Sequence, residues 1–186
     1  HRVCRLLSRG GIVMERLYGP TLLQALAAEE VSIADGAAML ADLHQALHEV
    51  PAPTAWPEAS HPDRLCIGGG PHVVHLDLHP GNVVLTEDGP VLVDWANARS
   101  GTRELDVAVT AVVLAEVAVD AGGAYSQAAR ALLAAFLGWT DVSPRDGLVE
   151  AAAFRAADPI LVPGERELVP EAATLVRTLV ELVQRP

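Results

Sequence analysis

His75-Leu76-Asp77-Leu78-His79-Pro80-Gly81-Asn82 is the stretch on which the reading of this chain turns, together with Val93-Asp94-Trp95 a short way downstream. Between them lie two β-rich runs, Val83-Val84-Leu85 and Val91-Leu92-Val93, separated by Thr86-Glu87-Asp88-Gly89-Pro90, a turn sequence with a glycine available for positive φ. That pattern predicts a β-hairpin. Because a hairpin returns the chain to where it started, Asp94 is expected beside Asn82, with Asp77 at the same end.

Phosphoryl transfer asks little covalent work of a protein. It needs a carboxylate to orient and deprotonate the attacking hydroxyl, and oxygen ligands that hold Mg²⁺ against the nucleotide phosphates. Asp77 suits the first role, Asn82 and Asp94 the second, and the Asp-x-x-x-x-Asn spacing is that of a kinase catalytic loop. A rival use exists for the same residues. His75, Asp77 and His79 alternate, so on a strand all three would face one side and could bind zinc or iron in a metallohydrolase. That reading leaves Asn82, the hairpin and Asp94-Trp95 unexplained. In the kinase reading His79 is a loop residue packed within the catalytic turn, and His75 hydrogen-bonds backbone to fix the loop.

His75-Leu76-Asp77 through Asn82, with Val93-Asp94-Trp95, resembles the catalytic and metal-binding motifs of the aminoglycoside phosphotransferase and choline kinase families. Their pattern has Gly or Asn after the His, where protein kinases have Arg; Leu76 departs from both. Val13-Met14-Glu15-Arg16-Leu17, followed by Gly19, is similar to the strand and hinge that join the two lobes of such enzymes. The likeness implies that the Glu15 carbonyl and the Leu17 amide bind the adenine edge of ATP, or the equivalent edge of GTP, with Val84 and Val93 as its floor. The segment Leu40-Ala41-Asp42-Leu43-His44 resembles the helix ahead of the catalytic loop, and Leu105-Asp106-Val107-Ala108 the Asp-Leu-Ala signature whose acid braces that loop. Twelve positions separate Asp94 from Asp106, too few for a peptide-docking activation segment, so the acceptor is expected to be a small molecule.

The fold class implied by the resemblance is α+β, mainly helical: the C-terminal lobe of a protein-kinase-like fold with a catalytic-loop β-hairpin. Residues 1–17 would be the end of the N-lobe sheet and the hinge, and residues 18–186 the C-lobe, with catalytic loop 75–82, metal-binding Asp94 and a helical bundle over 105–186. Most of the N-lobe, with its phosphate loop and Lys-Glu pair, is expected to lie outside this chain, which contains no lysine. The segment alone is therefore expected to be inactive, and a non-catalytic kinase-like binding module is the alternative.

Outward from the motif, Val3–Leu7 and Gly11–Leu17 read as strands split by Ser8-Arg9-Gly10-Gly11, and Leu22, Leu23 and Leu26 as a short helix capped by Thr21. Apolar residues from Ile33 to Leu47 recur at three- and four-residue steps between Ser32 and Pro51, which predicts an amphipathic helix. Pro51 to Pro71 holds five prolines and reads as a connection. Its Gly68-Gly69-Gly70 precedes a strand and lacks a following Gly-Lys-Ser/Thr, so it is not a phosphate loop. Beyond Asp106 three or four helices are expected, broken near Gly122-Gly123, Gly138 to Pro144, and Pro159 to Gly164.

The chain has 186 residues, 51% of them hydrophobic, enough for one substantial core. A net charge of -11 argues against nucleic-acid or anionic-membrane partners and favours a cationic acceptor, an aminoglycoside-like one among them. Asp120, Asp141, Asp146, Glu150 and Asp158 read singly as surface charges. Cys4 and Cys66 form no C-x-x-C pair and, with no membrane-spanning run or leader pattern, suggest a cytoplasmic protein. His44 and His48 share a helical face but have Gln45 where a zinc peptidase needs Glu, so His44 is expected to be packed and His48 to face solvent. Trp95 is expected to fill the core below the cleft, whereas Trp56 and Trp139 fall in connections.

Overall fold

The computed structural model describes residues 3–6, 12–54, 69–120 and 122–183. The expected turn over Ser8–Gly11, and Trp56, Cys66 and Gly68 of the proline-rich connection, lie outside the described residues. Among the described residues the chain is mainly helical, with three small antiparallel sheets of two strands each.

Strand β1 (Val3–Leu6) pairs with β2 (Ile12–Met14), and the strand ends there rather than reaching Leu17. Helix α1 (Leu22–Ala27) starts at a capping box in which the Gln24 amide donates to the Thr21 hydroxyl at 3.2 Å and the Thr21 amide to Gln24 Oε1 at 2.8 Å. Between β2 and α1 the chain is tied to the hairpin formed by β4 (Val83–Thr86) and β5 (Gly89–Leu92), because the Leu85 amide donates to the Pro20 carbonyl at 2.9 Å. Gly19 makes this approach feasible. Its φ is 146°, and a Cβ there would collide with the Leu85 carbonyl.

Helix α2 (Ile33–His48) is capped by Ser32, whose hydroxyl accepts from the Asp35 amide at 3.1 Å. The expected stop holds: Pro51 bridges His72, the first residue of β3 (His72–Val74), which pairs with β6 (Arg99–Gly101). In the hairpin the strands run further into the turn than expected, leaving only Glu87 and Asp88 between Thr86 and Gly89, and Gly89 takes φ 117°.

Among the described residues four helices follow. Helix α3 (Arg103–Val119), capped by the Thr102 hydroxyl, is buried continuously from Leu105 to Val112, as befits a helix surrounded by others. Around it lie α4 (Ala124–Trp139), α5 (Leu148–Ala156) and α6 (Pro163–Val183). The buried residues of α6, Val169, Ala172, Ala173, Leu175, Val176 and Val180, recur mostly at three- and four-residue steps, so one stripe faces the core. Leu40, Leu105, Leu133, Phe136 and Val176 belong to one continuous core. Trp139 corrects an expectation, for it is the last residue of α4 and stands 61% exposed rather than lying in a connection. Among the described residues no helix is long and apolar enough to cross a membrane.

The two hairpin-region glycines separate backbone conformation from steric contact. Gly89→Ala meets nothing within 4 Å and should lower stability only through its positive φ, by about 1 kcal/mol. Gly19→Ala adds a backbone collision, so urea unfolding should show the larger loss for Gly19→Ala; equal losses would mean that residues 19–20 are not clamped to β4.

Candidate active site

Residues 75–79 do not form a strand; they are a loop between β3 and a 3₁₀ turn at Pro80–Asn82, and helix α3 holds that loop from below. Asp106 and Thr110, four apart, lie on one face of α3. Asp106 Oδ1 accepts from the amides of His75 at 3.1 Å and Leu76 at 2.8 Å, while the Thr110 hydroxyl donates to the Leu78 carbonyl at 2.8 Å. A matching pair on α2 backs each of them. His48 Nε2 lies 2.8 Å from Asp106 Oδ2, and His44 Nε2 lies 3.1 Å from the Thr110 hydroxyl. His48 is thus buried at 4% exposure, not solvent-facing, because α3 supplies a carboxylate that the periodicity of α2 could not reveal. Burial alone would push the Asp106 carboxyl up, but the His48 hydrogen bond, the charges of His44 and His48 and the Leu76 amide hold it below its ordinary value.

Leu76 takes φ 59° while only 1% exposed. A left-handed backbone costs a branched residue about 1–2 kcal/mol, which gives a physical reason for Gly or Asn at this point in the resembling families. Here the buried side chain and the Asp106 bond offset the strain.

Asp77 follows, 25% exposed at its side chain. Asn82 Nδ2 donates to the Asp77 carbonyl at 2.9 Å and to its Oδ2 at 3.1 Å, so the 3₁₀ turn closes the loop onto the base candidate and leaves Asn82 Oδ1 for a ligand. Burial pushes the Asp77 carboxyl up; His79, Arg155, His75 and the Asn82 bond oppose that shift without cancelling it. His79 accepts from the Gly81 amide at Nδ1, which puts the proton of the neutral ring on Nε2, 3.7 Å from Asp77 Oδ1. Burial lowers the pKa of His79.

The hairpin carries the remaining residues. The Val93 amide donates to the Asn82 carbonyl at 2.9 Å, which extends the pairing by one step and sets Asp94 just beyond the base of the hairpin. Val84 stands opposite Val91, and alternation puts Val93 on the same face. Asp94 is exposed, adopts φ 60° and ψ 70°, and caps the 3₁₀ turn Trp95–Asn97. Asn82 and Asp94 are hard oxygen donors, and Mg²⁺ is commonly held by one or two such protein ligands with phosphate oxygens completing its shell. His75 is fully buried and donates from Nε2 to the Val93 carbonyl at 3.0 Å, and its Nδ1 has no hydrogen-bond partner. Burial lowers its pKa against the pull of Asp106, Val93, Asp77 and Asp94. Trp95 does not fill the core: it is 40% exposed, edge-on to His75 at 4.9 Å, with Nε1 donating to the Leu92 carbonyl at 3.2 Å. Among the described residues no three His, Cys, Asp or Glu side chains gather around a common metal position, so the alternating His75, Asp77 and His79 do not converge.

Glu15, Leu17 and Tyr18 share a surface concavity of about 340 Å³ with Thr86 and Val91 of the hairpin. Val84 and Val93 do not line it directly. Arg155 on α5 is a residue that sequence reasoning missed. Its charge acts on both Asp77 and His79, and it is fixed by Nε bonds of 3.1 Å to both oxygens of Glu116 and by Nη1 to Asp158 Oδ2 at 3.1 Å. Burial raises the Glu116 carboxyl to about 7, with Arg155 opposing the shift.

Comparing Leu76→Gly with Leu76→Ala isolates the loop strain, since both lose the buried side chain. The glycine variant should be the more stable by about 1 kcal/mol in urea unfolding, the reverse of the usual order. Greater stability of the alanine variant would remove the left-handed conformation from the account.

No curated protein and no solved structure matches the chain. Residues 55–144 match the family model described as phosphotransferase enzyme family, APH. The stretch that carries the loop, the hairpin and their brace on α3 is therefore aminoglycoside phosphotransferase-like.

Proposed function

We propose that the protein transfers the γ-phosphate of ATP or GTP to a hydroxyl group of a small molecule, within the C-lobe of a kinase-like fold. One observation carries the reading: a partly buried carboxylate with a raised pKa, Asp77, is bonded to Asn82 in the turn that starts the hairpin ending at Asp94. In the reaction Asp77 accepts the proton of the acceptor hydroxyl as that oxygen bonds to the γ-phosphorus and the bond to the β-γ bridging oxygen breaks. Asn82 Oδ1 and the Asp94 carboxylate would hold Mg²⁺. The ion, when bound, neutralises charge on the phosphates. Asp106, His48 and Thr110 keep the loop from relaxing, so the Asp77 carboxylate is positioned before the substrate arrives.

On this reading the nucleotide base occupies the concavity between residues 15–18 and the hairpin, its edge read by the Glu15 carbonyl and Leu17 amide and its face against Val91, with Val84 and Val93 on the same hairpin face but outside the lining. Residues 1–17 are on this reading the end of an N-lobe sheet and the hinge, and residues 18–186 the C-lobe. Anchoring the phosphates on this reading takes a cation of the kind that the N-lobe supplies in the resembling families. Its dependence on ATP or GTP suits a cytoplasmic setting.

Asp77→Asn keeps the shape and the bond to Asn82 but removes the base. Turnover in the intact protein should fall by roughly 10²–10⁴-fold while nucleotide binding is retained. Because the folded Asp77 pKa is raised above 3.8 and the base must be ionised, wild-type kcat/KM should decline with falling pH from a point above that value. Full turnover in Asp77→Asn would refute the assignment.

A further inference from the structure

A cavity of about 340 Å³ opens beside the catalytic loop, between α1, α2, α3 and α4. Its floor is His79, Pro80 and Gly81, the residues just ahead of Asn82 in the loop. Its walls are apolar, with Leu26, Ile33, Val113 and Leu132 among them, and its mouth exposes Leu23 at 38% and Tyr125 at 59%. The volume is at the lower end of the roughly 300–1,000 Å³ typical of small-molecule sites.

The charge of the wall decides what fits. Among the described residues that line the cavity none is a carboxylate, and the one permanently charged side chain is cationic, Arg155. Its Nε and Nη1 are already held by Glu116 and Asp158, so the wall presents a compensated guanidinium rather than a free charge. The acidic surplus of the chain is spent elsewhere: Asp141 pairs with Arg103 at 2.6 Å, and Asp120 and Asp146 are exposed. An ammonium group entering this space would lose its hydration without meeting a carboxylate. An alkyl or ring surface would lose nothing, and it would displace water from leucine and valine side chains.

We infer that the acceptor is a neutral, largely apolar alcohol, which seats its hydrocarbon body in this cavity and turns its hydroxyl across His79 toward Asp77. The inference rests on the phosphotransferase reading for the word acceptor, and it departs from the cationic acceptor that net charge favours. His79 links the two spaces, since it lines the cavity and has Nε2 3.7 Å from Asp77 Oδ1.

The test uses geraniol as the neutral alcohol and kanamycin as the polycation, titrated into the chain and followed by saturation-transfer NMR. Two variants fill the cavity from exposed positions, Ala128→Trp on α4 and Ala27→Trp at the end of α1, where folding should be unaffected and is checked by thermal unfolding. Geraniol binding weakened at least about tenfold in either folded variant, with no displacement by kanamycin, is the expected result. Displacement of geraniol by kanamycin, or geraniol binding that is absent or indifferent to both substitutions, overturns the inference. Failure of the phosphotransferase reading itself shows separately, as full turnover in Asp77→Asn.

Discussion

The pairing of Asp106 with His48 is the interaction on which the site depends. One carboxylate oxygen takes the His48 ring, and the other takes the successive amides of His75 and Leu76, which would otherwise be unsatisfied donors in the interior. A buried carboxylate without its partner typically costs about 3–5 kcal/mol, so neither residue can change alone without disturbing the loop above. The same helix pair repeats the device one turn on, where His44 backs Thr110 and Thr110 holds the Leu78 carbonyl. Rigidity at Asp77 therefore originates two layers below it, in the packing of α2 against α3.

Much of this was legible in the sequence because it is local. The hairpin announced itself through two β-branched runs and a Gly-containing turn, and α2 through its period and its Ser32 and Pro51 boundaries. What could not be read depends on partners distant in sequence. His48 faces the core only because Asp106 lies 58 residues away on another helix, and no periodicity in α2 carries that information. Arg155 is equally silent until α5 brings it beside the loop. Trp95 was expected inside because aromatic rings usually are; the left-handed Asp94 before it turns it outward onto His75 instead.

Leu76 shows how a departure from a family pattern acquires a physical meaning. Where Gly or Asn would adopt the left-handed backbone readily, this chain accepts the strain and covers it with a buried leucine. The loop is held by the Asp106 carboxylate and by the burial of Leu76 in the core. Asp94 sits in the same backbone region, but exposed, where strain at a metal-binding candidate is sustained by its cap on the following turn.

Coupling between Asp94, Asn82 and a nucleotide is the central claim, and calorimetry measures it most directly. Titrating the intact protein with Mg²⁺ and a non-hydrolysable ATP analogue should give metal-dependent binding that Asp94→Ala abolishes. Binding unchanged in Asp94→Ala, or no binding by the intact protein at all, would contradict the assignment of this hairpin to nucleotide chemistry.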